Sequence, residues 1–169
     1  LSRNLSNFAG GVIILVFRPY EVGDYIVASN GASGPVTDIQ IFHTVLTTPD
    51  NKIIFAPNGA MSGAVVTNYS RKETRRLDFT FGVEYGTDFN QAKAIILEII
   101  SKDSRILQDP APFVELGALA DSSVNITVRV WVNASDYWGV NFDMNKNVYA
   151  TFNEKGISFP FPQLTVHQA

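Results

Sequence analysis

The chain of 169 residues contains no cysteine, which excludes disulfide bonds and thiolate metal sites. It is also poor in charge, since Asp, Glu, Lys and Arg make up 17% of the residues, against about a quarter in ordinary soluble domains. Basic residues number 13 and acidic residues 16, so the excess of positive charge that nucleic-acid binding requires is missing. A surface with so little charge indicates oligomer interfaces or contact with a membrane.

Residues 4–17 form a charge-free apolar segment that is too short to cross a bilayer. As a helix it would be about 21 Å long, against a hydrocarbon core of about 30 Å. Its apolar residues recur at helical spacing, and Pro19 ends the run because the residue before a proline avoids the helical region. Gly10 and Gly11 each cost about 1 kcal/mol relative to alanine in a helix, but they suit places where helices bend or approach closely.

This segment fits either a buried core helix or a packed, interfacial amphipathic helix that follows membrane spans. Because the chain begins without a methionine, inside the apolar pattern, we expect it to be the C-terminal part of a longer protein.

Residues 21–68 alternate between short β-rich segments and turn signals. Several short strands in so brief a stretch predict a small β barrel of the Sm or SH3 type. We place strands at residues 24–27, within 35–46, at 52–55 and at 64–66, with tight turns at 49–51 and 57–59. Residues 69–76 are polar and basic, and we interpret them as a linker to a second domain.

The second domain has a different pattern, with strands at residues 77–85, 113–119 and 124–132. Asp88 is expected to cap a helix that starts at Phe89, and a second helix is expected at about residues 136–155, ended by Gly156. A last strand is predicted at residues 157–161. The resulting order, βαββαβ, is that of a ferredoxin-like domain, so the fold class is α+β.

The tail after residue 161 contains Leu164 and Val166, which alternate in a segment without an obvious partner strand. An unpaired strand offers free backbone groups to another chain, so we expect self-association through this tail.

No residue pattern indicates an enzyme, a cofactor or a metal site. His43 and His167 are far apart in sequence and are expected to be structural or solvated. The glycine-rich residues 30–34 lack the lysine and the following helix of a phosphate loop, so they are interpreted as a turn. The only basic cluster, at residues 71–76, is expected to be a solvated linker.

The order of these parts resembles the small-conductance mechanosensitive channel family over essentially the whole chain. The segments that carry the resemblance are LSNFAGG at residues 5–11, FRPY at 17–20, GD at 23–24, TTPDNKIIFAP at 47–57, NYSR at 68–71, VRVW at 128–131 and GISFPFPQ at 156–163.

This resemblance implies a homoheptameric ion channel in the plasma membrane of a bacterium or archaeon. It would open under membrane tension and release ions and small osmolytes during hypo-osmotic shock. The chain would lack the upstream transmembrane helices, and most of it would form a cage on the cytoplasmic side. Residues 1–18 would be the second half of the pore helix, 19–70 the β domain, 71–161 the α/β domain, and 162–169 a strand of a parallel barrel between subunits.

The resemblance also assigns roles to single residues. It places Asn7, Gly10, Gly11 and Phe17 in the gating part of the pore helix. It implies that Gly63 lies where this helix docks on the β domain.

Further positions carried over are Arg18 near the membrane surface, Asp78 near the cage portals, and Leu164 and Val166 in the C-terminal barrel. Arg3 stands where well-known members have a kink glycine, so the bend is expected to move to the two glycines of the helix.

Membrane lipids, permeating ions and further copies of the chain would be the partners, with no nucleic acid. The residues leave two alternatives open: a soluble Sm-like protein for RNA binding or assembly, and a small enzyme. The acidic composition and the lack of a basic or aromatic platform disfavour the first, and the lack of a catalytic constellation disfavours the second.

Overall fold

A computed structural model describes residues 1–169 and separates them into two units, Leu1–Glu73 and Thr74–Ala169. Both units combine helices with an antiparallel sheet, so the fold is mixed α and β. Each unit is described by itself below.

The first unit begins with helix α1, Ser2–Phe17, which confirms the predicted helix and starts two residues earlier. It ends because Arg18 adopts a left-handed conformation with φ 49°, and its N–H donates to the carbonyl of Ile14 at 2.8 Å. Pro19 follows and cannot continue the helix. Helix α1 runs without interruption through both glycines.

Five strands form one antiparallel sheet in the order β4-β3-β2-β1-β5. The strands are β1 Tyr25–Ala28, β2 Ser33–Ile39, β3 His43–Thr47, β4 Ile53–Pro57 and β5 Val66–Asn68. The β-rich run at residues 35–46 is thus two strands joined by a short turn.

The predicted turn at residues 57–59 is wrong, because a short helix, α2, spans Asn58–Ser62. Proline, asparagine and glycine favour a turn, but they also suit the start of a helix. Here the N–H of Asn58 donates to the carbonyl of Phe42, which satisfies one of the amides that a helix start leaves unpaired.

The core of the first unit lies between the sheet and both helices. Its fully buried side chains include Ile14 of α1, Tyr20 just after α1, and Met61 of α2, together with Ile26 and Leu46 of the sheet. Helix α1 is therefore an integral part of this unit.

The second unit contains β6 Thr74–Val83, α3 Phe89–Ser101, β7 Phe113–Leu119, β8 Val124–Asn133, a 3-10 turn at Ala134–Asp136 and α4 Tyr137–Glu154. The strands pair antiparallel in the order β6-β8-β7. The predicted cap of α3 is confirmed, since Oδ1 of Asp88 accepts hydrogen bonds from the N–H groups of Asn90 and Gln91.

One face of β8 and one face of α4 supply the centre of this core, as their spacing predicts. The completely buried residues on them are Ile126, Val128, Val130, Val132, Val140, Val148 and Phe152. Period two in the strand and period 3.6 in the helix bring these side chains to a common interior.

Two predictions for the second unit are wrong. Residues 157–161 form no strand, and the N–H of Glu84 makes a single backbone hydrogen bond to Ser158 there, at 3.1 Å. Pro160 and Pro162 lack the N–H groups that a strand ladder needs, so the order is βαββα. The linker predicted at residues 69–76 is also shorter, because its last three residues begin β6.

An ion cluster links the loop after α3 to helix α4. The guanidinium of Arg105 donates to Asp103 at 2.8 and 2.9 Å and to Asp143 at 2.7 Å. The hydrogen bond from Arg105 holds the pKa of Asp103 below its ordinary value, although partial burial opposes this shift.

This lowered pKa predicts a pH dependence of stability. The stabilisation is present above the ordinary aspartate pKa of about 4 and is lost as pH falls through the folded pKa. Asp103→Asn should therefore lower the free energy of unfolding by about 1.5–3 kcal/mol at pH 6 and flatten its decline towards pH 2. Urea denaturation at both pH values measures this, with Asp121→Asn at an exposed position as control. An equal fall in the free energy of unfolding between pH 6 and pH 2 for the parent and for Asp103→Asn would contradict this prediction.

Candidate functional site

The backbones of α1 and α2 approach each other closely at Gly10. A Cβ atom at Gly10 would lie against the carbonyl oxygen of Asn58, 2.6 Å from its carbonyl carbon and 2.7 Å from the nitrogen of Gly59. Real Cβ atoms essentially never approach other atoms within 3.0 Å. The helix can therefore sit on α2 only because residue 10 has no side chain.

The next residue of α1 meets the same surface. A Cβ atom at Gly11 would lie 2.8 Å from the carbonyl oxygen of Ile41 and 2.9 Å from Nδ2 of Asn58. Gly10 and Gly11 are both buried, in a helix whose other buried residue is Ile14. The two glycines thus form the contact stripe of α1, and we call their contact with Ile41, Asn58 and Gly59 the helix seat.

A glycine also lies on the α2 side of the helix seat. A Cβ atom at Gly59 would lie 2.6 Å from Oγ of Ser6 and 3.0 Å from Oδ1 of Asn7. The N–H of Gly59 donates to that same Oδ1 of Asn7 at 3.0 Å. Asn7 therefore satisfies one of the free amides at the start of α2 from across the contact.

Asn58 is completely buried, and every polar group of its side chain has a partner. Its Nδ2 donates to the carbonyls of Gln40 at 2.9 Å and Ile41 at 3.2 Å, and its Oδ1 accepts from the Thr44 hydroxyl at 2.9 Å. These bonds attach the start of α2 to the β2–β3 turn. The surface on which α1 rests is consequently fixed by the sheet.

The hydroxyl of Tyr20 lies 2.7 Å from Oγ1 of Thr44, and both side chains are buried. Burial raises the pKa of the Tyr20 hydroxyl above its ordinary value. Tyr20 is therefore neutral at physiological pH and available as a donor.

Away from the helix seat, α1 presents apolar side chains that no other part of its unit covers. Their exposed fractions run from 44 to 76%, and the residues are Leu5, Phe8, Val12, Ile13, Leu15, Val16 and Phe17. An exposed apolar surface of this extent indicates contact with lipid or with another protein. None of the helices combines the length and apolar character needed to cross a bilayer.

At the end of α1, Arg18 has an exposed side chain whose guanidinium lies 3.5 Å from the carboxylate of Glu21. The carbonyl of Arg18 accepts a hydrogen bond from the guanidinium of Arg71 at 2.6 Å. The turn after α1 is thus attached to the C-terminal end of its own unit. At the other end, Arg3 lies in the first turn of α1 and is exposed.

Gly63, assigned to helix docking from the sequence, is the residue that ends α2. A Cβ atom built there would have only the carbonyl oxygen of Gly59 within 4 Å, at 3.7 Å, and no atom of α1. The structure thus brings Asn7, Gly10 and Gly11 together, and it places Asn58 and Gly59, not Gly63, beneath them.

The remaining residues named from the sequence lie in the second unit. Asp78, on β6, forms a two-point ion pair with Arg76, with distances of 2.7 and 2.9 Å. This hydrogen bond raises the pKa of Arg76, and both side chains are substantially exposed. Leu164 and Val166 are 87% and 72% exposed, in a tail whose amide at Gln163 donates to Ser122.

No group of three or more His, Cys, Asp or Glu side chains lies close enough to hold a metal ion. The distinctive feature of the chain is therefore the helix seat.

Comparison with known proteins matches two family models to successive parts of the chain. Residues 3–71 match the mechanosensitive ion channel beta-domain, and residues 77–159 match the C-terminal part of the mechanosensitive ion channel MscS. Together they cover most of the chain.

Individual relatives agree with these models. The chain is 41% identical over 167 residues to the small-conductance mechanosensitive channel of Edwardsiella ictaluri, covering 99% of this chain and 58% of that protein. It is 34% identical to the large-conductance mechanosensitive channel MscMJLR of Methanocaldococcus jannaschii, covering 98% of this chain and 48% of that one. The chain thus spans about half the length of these curated relatives.

A solved structure gives the same result. The crystal structure of Helicobacter pylori MscS in its closed state superposes with a TM-score of 0.92 at 27% identity, over 100% of this chain and 67% of that one. The matched family models, the named relatives and this superposition agree in one conclusion: the chain belongs to the MscS family of mechanosensitive ion channels.

Proposed function

We propose that this chain is the C-terminal portion of a channel subunit that opens under membrane tension and releases ions and small osmolytes during hypo-osmotic shock. The observation that carries the proposal is the construction of α1. One stripe of it, at Gly10 and Gly11, seats on α2, while its other faces expose apolar side chains. Such a helix suits a position between a membrane and a folded domain.

Membrane tension favours the conformation with the larger in-plane area, much as a ligand favours the state that it binds better. A helix that can leave or regain the helix seat would give the protein two discrete arrangements. In this proposal Asn7, Gly10, Gly11 and Phe17 act in gating, with Gly63 at the end of the supporting helix. Arg18 would lie near lipid headgroups, where its long side chain reaches polar surroundings.

We further infer that the subunit assembles with copies of itself as a homoheptamer in a bacterial or archaeal plasma membrane. Transmembrane helices upstream of α1 would span the membrane, and most of this chain would form a cage on the cytoplasmic side. Asp78 would lie near the cage portals. The exposed Leu164 and Val166 would join the equivalent segments of other subunits in a barrel.

The finer fold assignments belong to the same proposal. The strand order β4-β3-β2-β1-β5 supports an Sm-like β domain for residues 19–70. The order β6-β8-β7 with two helices supports a ferredoxin-like α/β domain for residues 71–161, without its last strand. The soluble RNA-binding alternative has no support, since the matched relatives are named as channels. The small-enzyme alternative has none either, because the matched family is one of mechanosensitive channels.

Survival of osmotic downshock tests the proposed function. The complete protein that carries this chain, expressed in a bacterial strain without its own mechanosensitive channels, should restore survival after dilution into low-salt medium. An empty vector gives the baseline. Equal death in both strains, with the protein present in the membrane fraction, would contradict the proposal.

Gly11→Leu should change the tension response of the complete channel. A side chain here would meet Ile41 and Asn58, and such overpacking typically costs about 1–3 kcal/mol. The ratio of seated to unseated helix should therefore fall about fivefold or more, which would shift the tension threshold or the inactivation rate. Patch recordings measure both quantities, with Asp121→Asn at an exposed position of the second unit as control. Recordings indistinguishable from the parent would remove the gating role of Gly11.

A further inference from the structure

We propose that Thr44 is a positioning residue that couples the end of α1 to the helix seat through a buried, one-directional chain of hydrogen bonds. The structural part of this proposal concerns the first unit alone. Its consequence for gating rests on the proposed channel function.

The direction of the hydrogen-bond chain follows from the groups available. Nδ2 of Asn58 faces the carbonyls of Gln40 and Ile41, which can only accept, so the amide orientation is fixed and Oδ1 faces Thr44. Oδ1 can only accept, so the single hydrogen of the Thr44 hydroxyl is donated to it.

The remaining bond of Thr44 then has one possible direction. Since Thr44 has given its hydrogen to Asn58, the hydroxyl of Tyr20 must donate to Oγ1 of Thr44 across the 2.7 Å contact. The Tyr20 hydroxyl is protonated at neutral pH, and burial raises its pKa further, so this donor is present there. The chain runs from Tyr20 through Thr44 to Asn58 without a break.

The chain connects two attachments of α1 that are far apart along the helix. Tyr20 lies just beyond the helix end and is anchored in the core, whereas Asn58 underlies Gly10 and Gly11. Thr44, in strand β3, is the one side chain that bonds to both. A movement of either attachment therefore disturbs the hydroxyl on which the other depends.

Water cannot substitute for this hydroxyl without opening the core. Thr44 and Asn58 are 0% exposed and Tyr20 is 1% exposed. A buried donor or acceptor that loses its partner costs about as much as its full desolvation. The coupling is therefore stronger than the same bonds would give at a surface.

Four variants of the complete protein in lipid nanodiscs test this proposal by hydrogen exchange. They are Thr44→Val, Thr44→Ser, Tyr20→Phe and the double variant Thr44→Val with Tyr20→Phe. Thr44→Val keeps the shape but leaves the Tyr20 hydroxyl and Oδ1 of Asn58 without a partner, so exchange of the α2 amides should rise about tenfold. Thr44→Ser keeps the hydroxyl and should remain within about twofold of the parent.

Tyr20→Phe is the most informative variant, because its expected effect on exchange has opposite signs in the parent and in the Thr44→Val background. In the parent it removes a donor and should speed exchange in α1 and α2 by about threefold. In the Thr44→Val background it removes an already unpaired hydroxyl, so it should slow exchange relative to Thr44→Val alone. The amides of β1, Tyr25–Ala28, should change less than those of α2 in every variant.

Equal exchange in Thr44→Ser and Thr44→Val, additive effects in the double variant, or uniform change including β1 would each overturn the coupling. Thr44→Ser and Tyr20→Phe keep the test decisive even where Thr44→Val fails to fold. Tension recordings of the same variants form a separate arm. If the parent carries no tension-activated current, the proposed function fails while the exchange results still decide the coupling.

Discussion

Replacing Gly10 by alanine is expected to destabilise the first unit by about 1–3 kcal/mol, although alanine is the better helix former. Helix propensity alone predicts the opposite, a gain of about 1 kcal/mol. The added methyl group would meet the backbone of Asn58 and Gly59, including the nitrogen of Gly59 at 2.7 Å, and backbone cannot rotate away as a side chain can. The helix seat must open to admit it.

Hydrogen exchange of residues 1–73 measures this effect directly, because it reports on the first unit alone. Ala9→Leu is the matched control, since it adds more volume to the same helix at an exposed position and should change stability by less than about 0.5 kcal/mol. Greater protection in Gly10→Ala than in the parent would mean that α1 does not rest on α2.

The largest expected loss of stability follows from Phe152→Ala in the second unit. Phe152 is completely buried on α4, where its ring centroid lies 5.7 Å from that of Phe159. Removing a buried phenyl group and leaving a cavity costs about 3–5 kcal/mol.

Phe142→Ala on the same helix provides the control for this prediction. Phe142 is 62% exposed, so the same substitution should cost about 1 kcal/mol or less. Urea denaturation followed by tryptophan fluorescence reports the second unit, since Trp131 and Trp138 both lie in it. Comparable losses for the two variants would contradict the assignment of the core.

Local patterns were sufficient for the elements that bury one face. Val128, Val130 and Val132 alternate along β8, and Val140, Val148 and Phe152 recur at helical spacing in α4, so each pattern predicts the face that is buried. The prediction of a last strand was wrong because Pro160 interrupts the apolar residues at 157–161. Proline has no backbone N–H to donate to a neighbouring strand, and apolar character alone does not replace that hydrogen bond.

The sequence predicted the α1 side of the helix seat but not the α2 side. Adjacent glycines in an apolar helix indicated a close approach, and the family resemblance added Asn7. Neither revealed what lies beneath, because Asn58 and Gly59 are remote along the chain and their segment equally suits a turn. A buried asparagine is uncommon, and only the long-range contacts with Gln40, Ile41 and Thr44 account for it.

Gly63 shows that a role carried over by resemblance can fall on a residue that does not make the contact. A resemblance transfers a role along the sequence, but a shift of a few residues moves the contact by a full helical turn. In this chain the glycine that faces α1 is the second residue of α2, and Gly63 ends that helix.

The most direct test of the central claim is a recording from the complete protein, purified and reconstituted in lipid vesicles without other proteins. Suction applied to excised patches should produce channel currents whose open probability rises steeply with tension. Gly11→Leu should shift that response, whereas Asp121→Asn, at an exposed position of the second unit, should leave it unchanged. Patches that contain the protein but remain silent up to the tension that ruptures the bilayer would contradict the account.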